Sequence, residues 1–323
     1  MKVFVAGGTG AIGIQLVPQL VAAGHDVVAT TRSANGAENV QQLGAEPAIA
    51  DGLDEQAMTE AVRRAQPEVV IHEMTALAGK MDLRRFDRWF ATTNELRTKG
   101  TDILLRAARE VGARRLIVQS YGGGWSNPRE GGVKDESDPL DPQPLKWTRE
   151  TMAGIRHIEA TVPSAEGLEG IVLRYGGLYA RGTGALSDEA LDLIRKRRFP
   201  VVGDGAGVWS FVYTGDAASA TVAALDRGAP GVYNVVDDDP APAREWLPYL
   251  AETIGAKPPR RVPVWLGRIA AGDVPVSMMT EIRGSSNAKA RRELGWDLRY
   301  PSWREGFRAE AASRSAAATA RSR

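Results

Sequence analysis

Short runs of apolar, mostly β-branched residues recur along the first half of the chain, separated by stretches with apolar residues three and four apart. Lys2–Ala6 reads as a buried strand, and Ile12–Ala23 as a helix with Ile12, Leu16, Leu20 and Ala23 on one face. Asp26–Thr30, Glu46–Ala50, Glu68–His72, Arg115–Gln119 and Gly170–Arg174 read as further strands, with helical segments between them. Apolar strands that alternate with helices predict an α/β fold. The sheet should be parallel and doubly wound, with both faces covered.

Beyond Arg181 the rhythm loosens. Asp188–Arg198 is predicted as a helix whose basic end, Arg195 to Arg198, is solvated and favoured by the helix dipole. Val201–Val202, Phe211–Tyr213 and Gly231–Val236 read as strands, and Asp216 as the cap of a helix reaching Leu225. The chain therefore divides into a main domain, residues 1–181, and a smaller C-terminal α/β cap, residues 182–308. Residues 208–236, approximately, are expected to return to the main domain. Residues 309–323 carry Ala, Ser, Arg and Thr without apolar periodicity and are expected to fray.

Charge narrows the partners. Lys and Arg number 41 against 40 Asp and Glu, a net charge of +1, which gives no global field to collect nucleic acid. The absence of Cys excludes disulfides, thiolate metal sites and a Cys nucleophile, and three scattered His offer no metal-ligand spacing. The N-terminus crudely resembles a signal peptide, yet Gln15 and Pro18 break its apolar run and its glycines are regularly spaced. With no apolar run long enough for a membrane span, a cytoplasmic location is the expectation.

The regular glycines are Gly7, Gly10 and Gly13, in a turn that follows the first strand and opens the first helix. Missing side chains let backbone N–H groups approach a pyrophosphate, and the helix N-terminus adds positive potential. Strand, turn, helix and second strand arrive in the order of a dinucleotide-binding Rossmann unit, with Gly7, Thr9, Gly10, Ala11, Ile12 and Gly13 at the cofactor. After the second strand, an acid would mark NAD. Here Thr30-Thr31-Arg32-Ser33 stands instead, and Arg32 can face a 2′-phosphate, so NADP(H) is favoured over NAD(H).

The glycine spacing resembles the extended short-chain dehydrogenase/reductase superfamily, of the NAD-dependent epimerase/dehydratase type, and further matches cover residues 1–308, approximately. Asp51-Gly52 looks like the segment that touches adenine, and Asn94 like the fourth-helix asparagine that holds the active-site helix. Gln119-Ser120 stands where the family places its catalytic Ser or Thr, and Leu173 to Tyr179 resembles the motif beside the nicotinamide. The resemblance thereby assigns Asn94, Ser120, Tyr175, Gly177 and Leu178 to the cofactor. Met74 and Thr75 join them from the strand end beside His72 and Glu73, where the ligand crevice should lie. Homodimers are common in such folds, so one is possible here.

The departures bear on chemistry. The family's catalytic tyrosine and lysine lie four residues apart on one helix; by register with Glu159, those positions hold Thr151 and Ile155. No tyrosine of the chain has a lysine four residues after it. Ser120 and Tyr121 are the remaining catalytic candidates, Ser120 to orient an oxygen and Tyr121 to deliver a proton. His157, about 200° around the helix from the lysine position, should point away. Nucleotide-sugar members carry an arginine near Trp209 and an asparagine near Gly177, so a sugar nucleotide is disfavoured. Trp125, Trp147 and Trp209 would ring the pocket if the Gly- and Pro-rich segment from Tyr121 to Lys146 folded over it as a semi-ordered lid.

Two functions stay open. One is an NAD(P)-dependent oxidoreductase that reduces or otherwise transforms a small, mostly apolar carbonyl-type substrate. The other is a non-catalytic NADP-binding redox sensor or interaction protein, which the missing tyrosine and lysine favour.

Overall fold

The computed structural model describes residues 1–77 and 82–321. Strands β1 (Lys2–Ala6), β2 (Asp26–Thr31), β3 (Glu46–Ile49), β4 (Val69–His72), β5 (Arg115–Tyr121) and β6 (Glu169–Tyr175) join Gly231–Val235 in one seven-stranded sheet. The spatial order is Gly231–Val235, β6, β5, β4, β1, β2, β3, and every pairing is parallel. This is the doubly wound arrangement predicted from the strand–helix alternation.

Strand alternation fills both faces. Val3 and Val5 of β1 pack with Leu16, Leu20 and Val27 on one side, while Phe4 packs with Met58, Val70 and Leu104 on the other. Both layers are closed to solvent, as an all-parallel sheet requires. The first helix, α1 (Gly13–Ala22), lies over the first face beside the helix Thr214–Ala223, where Gln19 Nε2 donates to Gly215 O at 3.1 Å.

The C-terminal part has its own core of Tyr179, Phe211, Trp246, Trp303 and Phe307, with many rings edge to face. The Phe211–Tyr213 strand pairs in parallel with Gly177–Ala180, which continues from β6 after one residue. The cap is thus welded to the end of the sheet where ligands bind.

Three local expectations change. Asp216 does not cap its helix; the helix spans Thr214–Ala223, and the carboxylate accepts from Arg299 N at 2.8 Å and Tyr300 N at 3.1 Å. The helix predicted to reach Arg198 ends at Arg195, because Arg197 turns left-handed at φ 56°. The segment expected to fray is helical as far as Arg321, in a helix beginning at Trp303, and only 322–323 of that tail lie outside the described residues. Alanine sustains helix without an apolar stripe, and Glu310 and Arg314 anchor the turn to Arg181 N and Asp188. Among the described residues no helix is long and apolar enough to cross a membrane.

Candidate active site

The glycine-rich turn leaves β1 at the C-terminal edge of the sheet, where the strand order reverses between β1 and β4. Gly7 sits at φ +103°, and a Cβ there would meet the Glu73 backbone at 2.9 Å. A Cβ on Gly13 would lie 2.4 Å from Gly7 O, so the absent side chains let the helix start pack on the turn. Thr30, from the end of β2, braces the turn: its Oγ1 accepts from Gly7 N at 3.0 Å and its carbonyl from Gly8 N at 3.1 Å.

The other side of the turn is open. A Cβ on Gly10 would touch nothing nearer than Gly7 O at 3.4 Å, and Thr9, Gly10 and Ala11 are exposed. The N–H groups of Ala11, Ile12 and Gly13 have no acceptor among the described residues. Donors converging at the start of a ten-residue helix with α1 behind them fit the diphosphate of a dinucleotide. Arg32 follows β2, exposed and without a carboxylate partner among the described residues. Ser33 Oγ accepts from Gly36 N at 3.1 Å, which leaves its own hydrogen to donate. Asp51 Oδ1 accepts from Leu53 N at 2.9 Å, and Gly52 makes room for Met74, whose sulfur would lie 2.4 Å from a Cβ there.

Opposite the turn, the chain leaving β4 is held by His72. Its Nδ1 accepts from Met74 N at 3.2 Å, so Nε2 carries the hydrogen donated to Leu96 O at 3.0 Å. Burial holds its pKa down to about 4, and the ring is neutral. Glu73 is buried as well, and burial pushes its carboxyl up to about 8. Its Oε1 lies 2.7 Å from the Tyr175 hydroxyl, which lies 2.6 Å from Thr221 Oγ1. Tyr175 is 2% exposed, so the side chain expected beside the cofactor belongs to the core beneath this edge of the sheet. Gly177 and Leu178 continue along that edge, Gly177 N donating to Ser210 O at 2.8 Å, and Thr75 is exposed at the end of β4.

The hydroxyls expected to do chemistry are mostly engaged. Ser120 Oγ donates to Glu159 Oε1 at 3.2 Å, and Glu159 holds Arg174 through two further bonds of 2.7 and 2.6 Å. Ser120 thus donates into the buried Glu159–Arg174 ion pair. Thr151, fully buried, donates to Asp87 Oδ1 at 2.7 Å and accepts from Asn94 Nδ2 at 3.1 Å. Asp87 also accepts from Thr151 N at 2.9 Å and Glu150 N at 3.2 Å, capping the helix Arg149–Thr161. Ile155 is core. His157 pairs with Asp102 at 2.7 Å on the outer side of the same helix.

Tyr121, the last residue of β5, is different. Its ring stacks on Trp125 at 5.2 Å and 28°, and its hydroxyl has no hydrogen-bonded acceptor among the described residues. Burial pushes the phenol well above its ordinary pKa, with the Arg97 guanidinium pulling the other way, so it is a proton donor rather than a phenolate. Arg97 is a residue the sequence reading missed. It lies in a π-turn, Leu96–Gly100, 7% exposed, with its guanidinium 5.5 Å from the Phe90 ring centre.

Trp125 also meets Phe86 edge-on at 5.1 Å, and a small cleft beside it is lined by Leu145, Val274, Met278 and Ile282 together with Thr148, Ser277 and the paired Arg129 and Asp141. Trp209 closes the same cluster from the cap, its indole donating to Met278 O at 2.8 Å. Trp147 does not join them. It is 47% exposed under Lys146, because the helical turn Lys146–Thr148 faces its ring outward. The expected semi-ordered lid is instead strapped to the cap. Ser285 Oγ donates to Gly122 O at 2.7 Å, Asn127 Nδ2 to Arg283 O at 2.9 Å, and Lys134 N to Gly284 O at 2.8 Å. Among the described residues no cluster of His, Asp and Glu could hold a metal ion.

Known proteins agree with this layout. A Streptomyces sp protein named 3-diazoavenalumate denitrifying reductase is 43% identical over 312 residues, 95% of this chain and 99% of the relative. A Stigmatella aurantiaca protein named 4-hydroxy-2-methyl-3-oxo-4-farnesyl-3,4-dihydroquinoline-1-oxide ketoreductase is 29% identical, covering 92% of each chain. The crystal structure of a Thermus thermophilus UDP-glucose 4-epimerase, in complex with NAD, superposes with a TM-score of 0.73 at 25% identity, covering 97% of this chain and 98% of that one. The NAD dependent epimerase/dehydratase family matches residues 3–235, most of the length, and the chain belongs to that family.

Proposed function

We propose that the protein is an NADPH-dependent reductase of a small, largely aromatic substrate of carbonyl or diazo type, with Tyr121 as the proton donor. The observation that carries this reading is the state of the hydroxyls at the sheet edge. Ser120, Thr151 and Tyr175 each have their oxygen engaged by a carboxyl group, whereas the Tyr121 phenol has no protein acceptor among the described residues. The two relatives named above are both reductases by name, which supports a redox reaction over epimerisation.

A bound nicotinamide would supply hydride. The chain's own residues then have three tasks. The turn Gly7–Gly13 binds the diphosphate through free N–H groups, and Arg32 with Ser33 receives a 2′-phosphate. Trp125, Phe86, Met278 and Ile282 exclude water from an apolar wall that suits a flat substrate. Tyr121 delivers the proton to the substrate atom that gains negative charge, and Arg97 stabilises the phenolate left behind. Measuring turnover of Tyr121→Phe beside Ser120→Ala tests the assignment, because only the first removes the donor.

A further inference from the structure

Three arginines of the described chain are buried. Arg115 is paired with Glu169 at 2.7 Å and Arg174 with Glu159 at 2.6 Å. Arg97 has no carboxylate partner among the described residues. Its one side-chain hydrogen bond to them is Nη1 to Asn94 Oδ1 at 3.3 Å, so the guanidinium of a residue only 7% exposed keeps donors that no described protein group takes up. A buried guanidinium without a counter-charge is unfavourable unless something else supplies the negative partner.

Local structure holds it there. The π-turn Leu96–Gly100 carries its backbone, and such turns are frequent at functional sites. Gly154 packs against its stem: a Cβ there would lie in ordinary contact, 3.6 Å, with both Cβ and Cδ of Arg97. The guanidinium stands against Phe90, beside the ring cluster that holds Tyr121: Phe90 packs on Phe86 at 4.5 Å, Phe86 meets Trp125 at 5.1 Å, and Trp125 stacks on Tyr121 at the end of β5.

Resting on the reductase reading of this site, we propose that Arg97 anchors an anionic oxygen, a carboxylate or a phenolate, on an aromatic substrate seated against Tyr121. This revises the expectation of a mostly apolar substrate: the ring would be apolar, and one end of it charged. A guanidinium suits either oxyanion because its planar donors can bond two lone pairs at once.

The test is calorimetric titration of the NADP⁺-loaded protein with 4-methoxycinnamate (carboxylate only), 4-nitrophenolate (phenolate only) and methyl 4-methoxycinnamate (neutral). At least one anion should bind about tenfold or more tighter than the ester, and which one does so identifies the oxygen. Arg97→Gln should abolish that preference by weakening the anion while leaving the ester and NADP⁺ unchanged; Arg97→Lys should keep part of it. A merely structural arginine would instead lower the melting temperature of Arg97→Gln without changing the preference. Wild type that binds neither anion more tightly than the ester overturns the proposal, as does Arg97→Gln that retains the preference. Tyr121→Phe separates the two readings, since full turnover in it would remove the proton donor while leaving an Arg97-dependent preference intact.

Discussion

The Tyr175 hydroxyl and the Glu73 carboxyl lie 2.7 Å apart behind the glycine-rich turn, where burial opposes a charge on Glu73. Tyr175 also touches Thr221 Oγ1 at 2.6 Å, which bonds Ala217 O at 2.9 Å. Three contacts need three hydrogens, and the two hydroxyls supply only two. A protonated Glu73 carboxyl supplies the third, which agrees with a Glu73 pKa pushed up by burial to about 8.

That protonation makes stability depend on pH. The folded protein keeps a proton that the unfolded chain releases above 4.5, so the contribution of Glu73 is full below 4.5 and lost as pH rises through about 8. The slope is at most about 1.4 kcal/mol per pH unit. Glu73→Gln keeps a neutral side chain with a hydrogen to donate and should remove that slope. Its melting temperature relative to wild type should climb from pH 4.5 to about 8; parallel curves would contradict the protonated carboxyl. His72 works in the opposite sense, its contribution lost as pH falls from 6.5 through about 4.

Tyr121→Phe should lower turnover by about 10²–10⁴-fold with NADPH affinity unchanged. Ser120→Ala should leave turnover within about tenfold, since its hydroxyl serves Glu159. Steady-state rates of the two variants settle which hydroxyl is at the reaction. A larger loss in Ser120→Ala would return the role to serine.

Arg32→Asp should weaken NADPH binding by about tenfold or more and leave NADH binding equal or improved, because a 2′-phosphate loses its cation and meets a like charge. Fluorescence titration with both cofactors reads the difference. Unchanged NADPH affinity would remove Arg32 from the site.

Thr151→Val should destabilise the fold by about 1–3 kcal/mol, because Asp87 and Asn94 lose their shared partner at a fully buried position. Thr151→Ser should retain most of the stability. Urea unfolding of the two variants checks this, and a larger loss in Thr151→Ser would mean that packing of the methyl group matters more than the hydroxyl.

Strand–turn–helix order and glycine spacing made the sheet and the glycine-rich turn at its edge legible in the sequence, because each depends on residues near one another in the chain. Contacts across long separations were not legible. Ser120 is tied to a glutamate 39 residues away, which no local pattern announces. Arg97 passed as one of 41 basic residues, although it falls four after Thr93 and three before Gly100, both buried, and that helical spacing was a usable signal. Trp147 shows the reverse error, an aromatic residue placed in the pocket by composition and turned outward by a single helical turn.

Hydride transfer with Tyr121 as the proton donor is the step on which the proposed function stands. Its most direct test is the fate of deuterium from stereospecifically 4-deuterated NADPH, with the purified protein supplied with aromatic ketones, quinones and diazo compounds. Label from one face of the nicotinamide should appear in the reduced product, with Tyr121→Phe slowing the transfer. Tight NADPH binding with no label in any product would contradict it and favour a cofactor-sensing protein.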